Sequence, residues 1–139
     1  MNALFLRDAA LFGARFGLSL LFLVMGWGKV SDFAGAVAYM VQSGAPFPAL
    51  SALAATIIEL GAGLALVLGV MTVPVALFLA AYTVVTGLIG HHFWTYAPGT
   101  VRYDMTIHFY KNLSIAGGLL ALAAAGAGRY AVPVRRILR

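Results

Sequence analysis

The sequence predicts an all-α integral membrane protein: a four-helix bundle with a short interfacial helix between the first and second spans. Three observations lead to this fold class. Hydrophobic residues make up 63% of the 139 residues and charged residues only 9%, which is outside the usual range of a soluble domain. The mean hydropathy is +0.97. Four apolar stretches each approach or exceed the ~20 residues that cross a hydrocarbon core as a helix.

The predicted spans cover residues 9–28, 50–70, 72–90 and 105–127. The connections between them are short, so we treat residues 1–139 as a single transmembrane domain. Arg7 precedes the first span, as a basic residue precedes a signal peptide, but the apolar run is long and ends in GWGK without a small-residue cleavage site. We therefore expect the first span to be retained.

The link after the first span begins with a helical pattern. Apolar residues recur at helical spacing in FAGAVAYMVQ behind Asp32, a residue type that caps helix N-termini. Gly44, Pro46 and Pro48 then end the pattern. We expect a short helix in the membrane interface, acting either as an anchor or as a lid over a cavity.

Basic residues predict the orientation of the chain. Arg7 precedes the first span, and four arginines follow the last one: Arg129, Arg135, Arg136 and Arg139. The positive-inside rule then places both termini in the cytoplasm. The excess of basic residues is thus a topology signal, or a tail that docks on anionic lipid, and it gives no support for nucleic-acid binding.

Polar and small residues in the spans fall on helical stripes, which mark the face that each helix turns inward. The stripes are Arg15, Ser19, Phe22, Gly26 and Lys29 on the first span; Thr56, Glu59 and Gly63 on the second; Thr83, Thr86, Gly87, Gly90 and His91 on the third; Asp104, His108, Lys111, Asn112 and Ile115 on the fourth. Four such stripes predict a polar pocket in the outer half of the bundle.

Charged residues inside the spans need partners, because an isolated charge in hydrocarbon is costly. Depth along the helices predicts that Glu59 is neutralised by Lys111 or Arg15. Arg15 is expected either to form that inward ion pair or to extend to the headgroups, and Lys29 is expected to be an interface anchor or a ligand-binding group.

The three histidines lie near the ends of the third and fourth spans. His91 or His92 together with His108 could ligate a b-type haem, bind a metal, or relay protons to a quinone, and spacing alone does not choose among these. No metal site is favoured. The chain has no cysteine, which excludes thiolate chemistry and cysteine-ligated clusters.

The sequence resembles the DoxX/DoxD-like family of small four-span bacterial membrane proteins. The resemblance is carried by GWGKVSDFAGAVAYMVQSGAPFP, by IIELGAGLALVLGV in the second span, and by HHFWTY followed by HFYKNLSIAGGLL. It covers nearly the whole chain, and Arg15, Lys29 and Glu59 match the family pattern. It implies a bundle in the bacterial inner membrane and a link to quinone-coupled redox or oxidative-stress systems.

The leading prediction is therefore an inner-membrane subunit that binds a hydrophobic redox ligand, with quinone favoured over haem b. The candidate catalytic residues are Glu59, His108 and Lys111; the candidate ligand-binding residues are Arg15, Lys29, His91, Trp94, Phe109 and Asn112. A cation and a proton donor near a quinone carbonyl stabilise its reduced form. The alternative is a non-catalytic scaffold for a partner oxidoreductase or lipid. The expected partners are the bilayer, an oxidoreductase subunit and a second copy of the chain.

Overall fold

The computed structural model of the protein describes residues 2–132. Three of the arginines from which the orientation was predicted, at positions 135, 136 and 139, lie outside this range. The described chain is helical. It consists of α1 (Ala3–Ser31), α2 (Phe33–Gln42), α3 (Pro48–Leu68), α4 (Thr72–Gly90), a 3-10 turn (Phe93–Thr95) and α5 (Thr100–Ala125). The predicted fold class, a helical membrane bundle with a short helix after its first span, is confirmed.

Three of the long helical stretches in residues 2–132 are apolar and long enough to cross a membrane: Ala3–Ser31, Pro48–Leu68 and Thr72–Thr95. The fourth long helix, α5, has the length of a span at 26 residues. Its first half contains His108, Lys111 and Asn112, which lower its apolar character. Its most extensive contacts are with α4, and it also contacts α1, so it completes the bundle of four long helices.

Helix boundaries follow the local sequence closely. α4 has the predicted limits, and α3 begins and ends two residues earlier than expected. The Asp32 side chain accepts a hydrogen bond from the backbone N–H of Gly35 at 2.9 Å, which confirms the predicted cap of α2. α1 starts at Ala3 rather than near residue 9, behind an Asn2 side chain that accepts from the Leu4 N–H. α5 starts at Thr100, five residues before the predicted span.

The bundle consists of two closely packed helix pairs, α1 with α3 and α4 with α5, and the contact between α3 and α4 is smaller. The apolar core contains Phe22, Leu66, Ala76, Leu79, Ala80, Ala116, Leu119 and Leu122. Small residues allow close packing within the first pair. A Cβ on Gly26 would lie 2.8 Å from Leu60 Cγ, and one on Gly63 would lie 3.2 Å from the Leu23 side chain. Helix packing in membranes relies on such close approaches.

Two ends of the bundle can be distinguished. The terminal end contains the start of α1, the end of α5 and the α3–α4 turn, and the loop end contains α2 and the 3-10 turn. Gly69 closes α3 in a left-handed conformation with φ 78°, which favours glycine at this turn. Tyr39 of α2 places its hydroxyl 3.0 Å from where a Cβ on Gly90 would lie, so α2 covers part of the loop end.

Candidate functional site

A buried ion pair links three helices in the middle of the bundle. Lys29 Nζ of α1 lies 2.7 Å from Glu59 Oε2 of α3, and the two side chains are only 18% and 9% exposed. The Tyr82 hydroxyl of α4 donates to the other carboxylate oxygen of Glu59 at 2.9 Å. We call Lys29, Glu59 and Tyr82 the ionic cluster. Both oxygens of Glu59 therefore have a hydrogen-bond donor, as a buried carboxylate requires.

The ionic cluster corrects the prediction that Glu59 pairs with Lys111 or Arg15. Side chains of a helix lean toward its N-terminus. The ammonium of Lys29 therefore lies nearer the start of α1 than its own Cα does, and it also donates to Met25 O at 3.4 Å. Gly26 lets Glu59 approach at this level, because its missing Cβ would lie 3.1 Å from Glu59 Cβ. Lys29 is therefore a partner of Glu59 rather than an interface anchor.

Arg15 does not form the predicted ion pair with Glu59; its side chain extends to the terminal end of the bundle. It is fully buried, and its guanidinium donates to Val67 O at 3.2 Å and to Tyr130 O at 2.9 Å. Carbonyls at a helix C-terminus lack partners within the helix and carry partial negative charge. Arg15 thus closes the end of α3 and holds the segment after α5 against it, and within residues 2–132 it forms no ion pair.

Two of the predicted histidines come together at the loop end. The rings of His91 and His108 stack with centroids 5.0 Å apart and an interplanar angle of 23°. His91 Nδ1 is buried and has no hydrogen-bond partner among residues 2–132. Lys111 follows His108 by three residues and therefore lies on a neighbouring part of the same helix face. His92 is turned away, with its Nδ1 2.7 Å from Ile89 O.

A cluster of aromatic rings lies at the same end of the bundle and contacts His92. Phe93 and Trp94 of the 3-10 turn pack edge-on against Phe109 of α5, with centroids 5.5 and 5.7 Å from it. Tyr96 stacks on His92 at 5.6 Å and lines a cavity of about 530 Å³ formed by residues 96–101. Burial, and next the neighbouring Tyr96, raise the pKa of the Tyr39 phenol, so this hydroxyl remains a hydrogen-bond donor at neutral pH.

The structure divides the predicted site residues into two groups. Tyr82 and His91 are about two and a half turns apart along α4, roughly 13 Å, and no hydrogen bond or ion pair in residues 2–132 connects the ionic cluster with the histidines. The α5 stripe is also divided, because Asp104 and Lys111 are exposed while His108 and Asn112 are partly buried. Asn112 packs on Gly87, whose added Cβ would lie 3.0 Å from Asn112 Nδ2.

Sequence reasoning missed Tyr82. A tyrosine in the middle of an apolar span needs a partner for its hydroxyl, and this signal could have identified it. Within residues 2–132, no group of three or more His, Asp or Glu side chains is arranged to hold a metal ion. Haem ligation by His91 or His92 together with His108 stays one of the alternatives that the sequence leaves open.

These features define a small multi-pass helical membrane protein with an ion pair at its centre and a histidine pair at one end. Comparison with known proteins identifies the family: the DoxX family model matches residues 10–92, and the chain belongs to the DoxX family. It is 42% identical over 122 residues to inner membrane protein YphA of Escherichia coli K12, covering 88% of this chain and 86% of the relative. It is 36% identical over 127 residues to inner membrane protein YqjF of the same organism, covering 91% and 92%. No solved structure matches the chain.

Proposed function

We propose that this DoxX protein binds quinone at its loop end, as a subunit of a quinone-linked redox or oxidative-stress system. The observation that carries the proposal is His91, whose buried Nδ1 has no hydrogen-bond partner among residues 2–132 and whose ring stacks on His108, at the end of the bundle that also carries the Phe93, Trp94 and Phe109 rings. A buried polar atom without a partner costs about 1–3 kcal/mol, so such an atom at a functional site favours a ligand that supplies the missing hydrogen bond.

The residues around His91 suit a quinone head group. His91 and His108 can donate a hydrogen bond to a quinone carbonyl, Lys111 supplies positive charge, and Asn112 adds an amide donor. Trp94 and Phe109 offer faces and edges to a flat ring. When bound, a quinone accepts two electrons and two protons, and the electrons would come from a partner oxidoreductase subunit. The cavity of about 530 Å³ at the same end is lined by residues 96–101 and by none of these head-group residues.

We assign the ionic cluster a positioning role. Glu59 joins the α1–α3 pair to α4 through Lys29 and Tyr82, and α4 ends at His91. The cluster therefore fixes the level at which α4 presents His91 to His108 of α5. Arg15 acts on the other end of the same helices, far from the proposed head-group site.

The proposed location is the bacterial inner membrane, since the relatives YphA and YqjF are named inner membrane proteins. We propose cytoplasmic termini, because Arg7 and Arg129 lie at the terminal end. The quinone site would then face the outer side of the membrane.

A second candidate is a non-catalytic scaffold for a partner subunit or lipid. It is favoured by Lys111, which is exposed on α5 near the middle of that helix. A cation at such a depth is costly in lipid, and a partner could cover it. The scaffold predicts that Lys111 matters for assembly while no quinone binds near His91.

Tryptophan fluorescence can separate the two candidates, because the chain has only two tryptophans. In a Trp27→Phe variant in lipid nanodiscs, Trp94 is the reporter, and we expect saturable quenching by a short-tailed ubiquinone analogue. His91→Leu should raise the apparent Kd about tenfold, the equivalent of roughly 1.4 kcal/mol.

The matched control is Trp94→Phe, in which only Trp27 reports. Trp27 is 66% exposed on α1 and is not one of the proposed head-group residues, so its quenching should rise linearly with quinone in the bilayer. Equal, unsaturable quenching of both tryptophans would refute quinone binding at the loop end and leave the scaffold.

A further inference from the structure

An apolar groove is present at the terminal end, separate from the proposed quinone site. α1 has 29 residues and is about 43 Å long, whereas the hydrocarbon core is about 30 Å thick. Its first turns therefore extend to the level of the lipid headgroups. The groove lies beside these turns, with a volume of about 320 Å³, and is lined by Ala9, Phe12 and Tyr130.

The walls of the groove are fixed by the fold. Phe12 and Tyr130 meet edge to face with ring centroids 6.2 Å apart, and each is 45% exposed. Tyr130 O accepts from buried Arg15 at 2.9 Å, and the backbone N–H of Arg129 donates to Asp8 Oδ1 at 3.3 Å. The groove thus exists before any ligand enters it.

Positive charge lies at the edge of the groove. The Arg129 guanidinium carbon lies 5.7 Å from the Tyr130 ring centroid. The side chain is exposed, and within residues 2–132 it forms no ion pair. Arg7 lies about 200° around α1 from Ala9 and about 140° from Phe12, and it donates to Ala125 O at 3.1 Å, so it is not at the edge of the groove. Asp8 is one turn from Phe12, and its carboxylate accepts the Arg129 backbone N–H. The guanidinium of Arg129 is therefore the cation beside the groove within residues 2–132.

We infer that this groove is a binding site for an anionic phospholipid. An acyl chain lies along Ala9, Phe12 and Tyr130, and the phosphate is bound by Arg129. Arginine suits this role because its planar donors match phosphate oxygens. The site needs both parts of the ligand, an apolar chain and a negative headgroup, at the depth where a phospholipid presents both. This inference does not rest on the proposed quinone function.

Native mass spectrometry of the full chain from nanodiscs tests the site. The nanodiscs contain phosphatidylcholine alone or with one third phosphatidylglycerol, and we expect the protein to retain phosphatidylglycerol preferentially. Arg129→Gln should reduce this retention about fivefold, the effect of one basic residue near an anionic surface. Ala9→Phe should reduce it as strongly, because the new ring fills the groove while the charge is unchanged.

The matched control is Arg102→Gln, which removes the same charge at the loop end and should leave retention unchanged. Ala9 and Arg129 are exposed, so both variants should fold, and their melting temperatures in phosphatidylcholine verify this. Equal losses in Arg129→Gln and Arg102→Gln would refute a specific site in favour of general attraction. The site would also be refuted if Ala9→Phe retained as much phosphatidylglycerol as the natural chain, or if both lipids were retained equally. Two further results would refute it: full competition by soluble glycerol phosphate, and a second copy of the chain bound in place of lipid.

Discussion

Removing Lys29 alone should destabilise the bundle more than removing the whole ion pair. In Lys29→Met, the Glu59 carboxylate keeps the Tyr82 donor at 2.9 Å but loses its cation at 2.7 Å. Breaking a buried pair costs about 3–5 kcal/mol. Because the side chains are 18% and 9% exposed, we expect about 3 kcal/mol. The double variant Lys29→Met, Glu59→Gln leaves no buried charge and should lose only about 1 kcal/mol.

The assay is a double-mutant cycle on the free energy of unfolding, measured by reversible denaturation in mixed micelles. Four proteins are compared: the natural chain, Lys29→Met, Glu59→Gln and the double variant. The loss in Lys29→Met alone exceeds that in the double variant by about 2 kcal/mol. Any loss in Glu59→Gln adds to this difference, so the double variant should be at least about 2 kcal/mol more stable than the sum of the two single losses predicts. Additivity within about 0.5 kcal/mol would show that Lys29 and Glu59 act independently and would refute the ion-pair argument.

Three further predictions follow from single contacts, each measured by the same unfolding assay. Tyr82→Phe should cost about 1–2 kcal/mol, because it removes the hydrogen bond from α4 to the carboxylate of α3. Gly26→Ala should cost about 1–3 kcal/mol through overpacking between α1 and α3. In the control Gly17→Ala, the new Cβ meets no atom within 4 Å. This control should be neutral or stabilising by up to about 1 kcal/mol. Arg15→Lys should cost about 2 kcal/mol, since one ammonium cannot serve both carbonyls that the guanidinium binds.

Each of these three stability predictions can be contradicted by one result. Full stability of Tyr82→Phe would mean that Glu59 finds another donor. Equal effects at Gly26 and Gly17 would show that helix propensity, and not packing, decides the outcome. If Arg15→Lys is as stable as the natural chain, a single donor is enough to close the terminal end.

Residue patterns predicted the helices well because each boundary depends on local chemistry. Asp32 caps α2, and Gly44 with Pro46 and Pro48 ends it, since these residue types favour or exclude helical backbone without help from distant parts of the chain. The stripes on α1 and α3 also predicted burial correctly: Arg15, Ser19 and Glu59 are all buried.

The partners of the buried charges could not be predicted in the same way. The depth argument located each residue by its Cα, but a lysine side chain extends toward the start of its helix, and this places the ammonium of Lys29 beside Glu59. Sequence also does not show which helices are neighbours. Lys111 is on α5, whose main contact is α4, so it does not pair with Glu59.

One variant can distinguish the role of the ionic cluster from the role of the histidine pair. If Glu59 only positions α4, the Lys29→Met, Glu59→Gln double variant can bind quinone more weakly, but the pH dependence of Trp94 quenching should be that of the natural chain, because His91 and His108 are unchanged. If Glu59 instead exchanges protons with the ligand, the same stable variant should show an altered pH dependence of binding. The two clusters are about 13 Å apart along α4, which argues for the positioning role, since no direct hydrogen bond spans that distance.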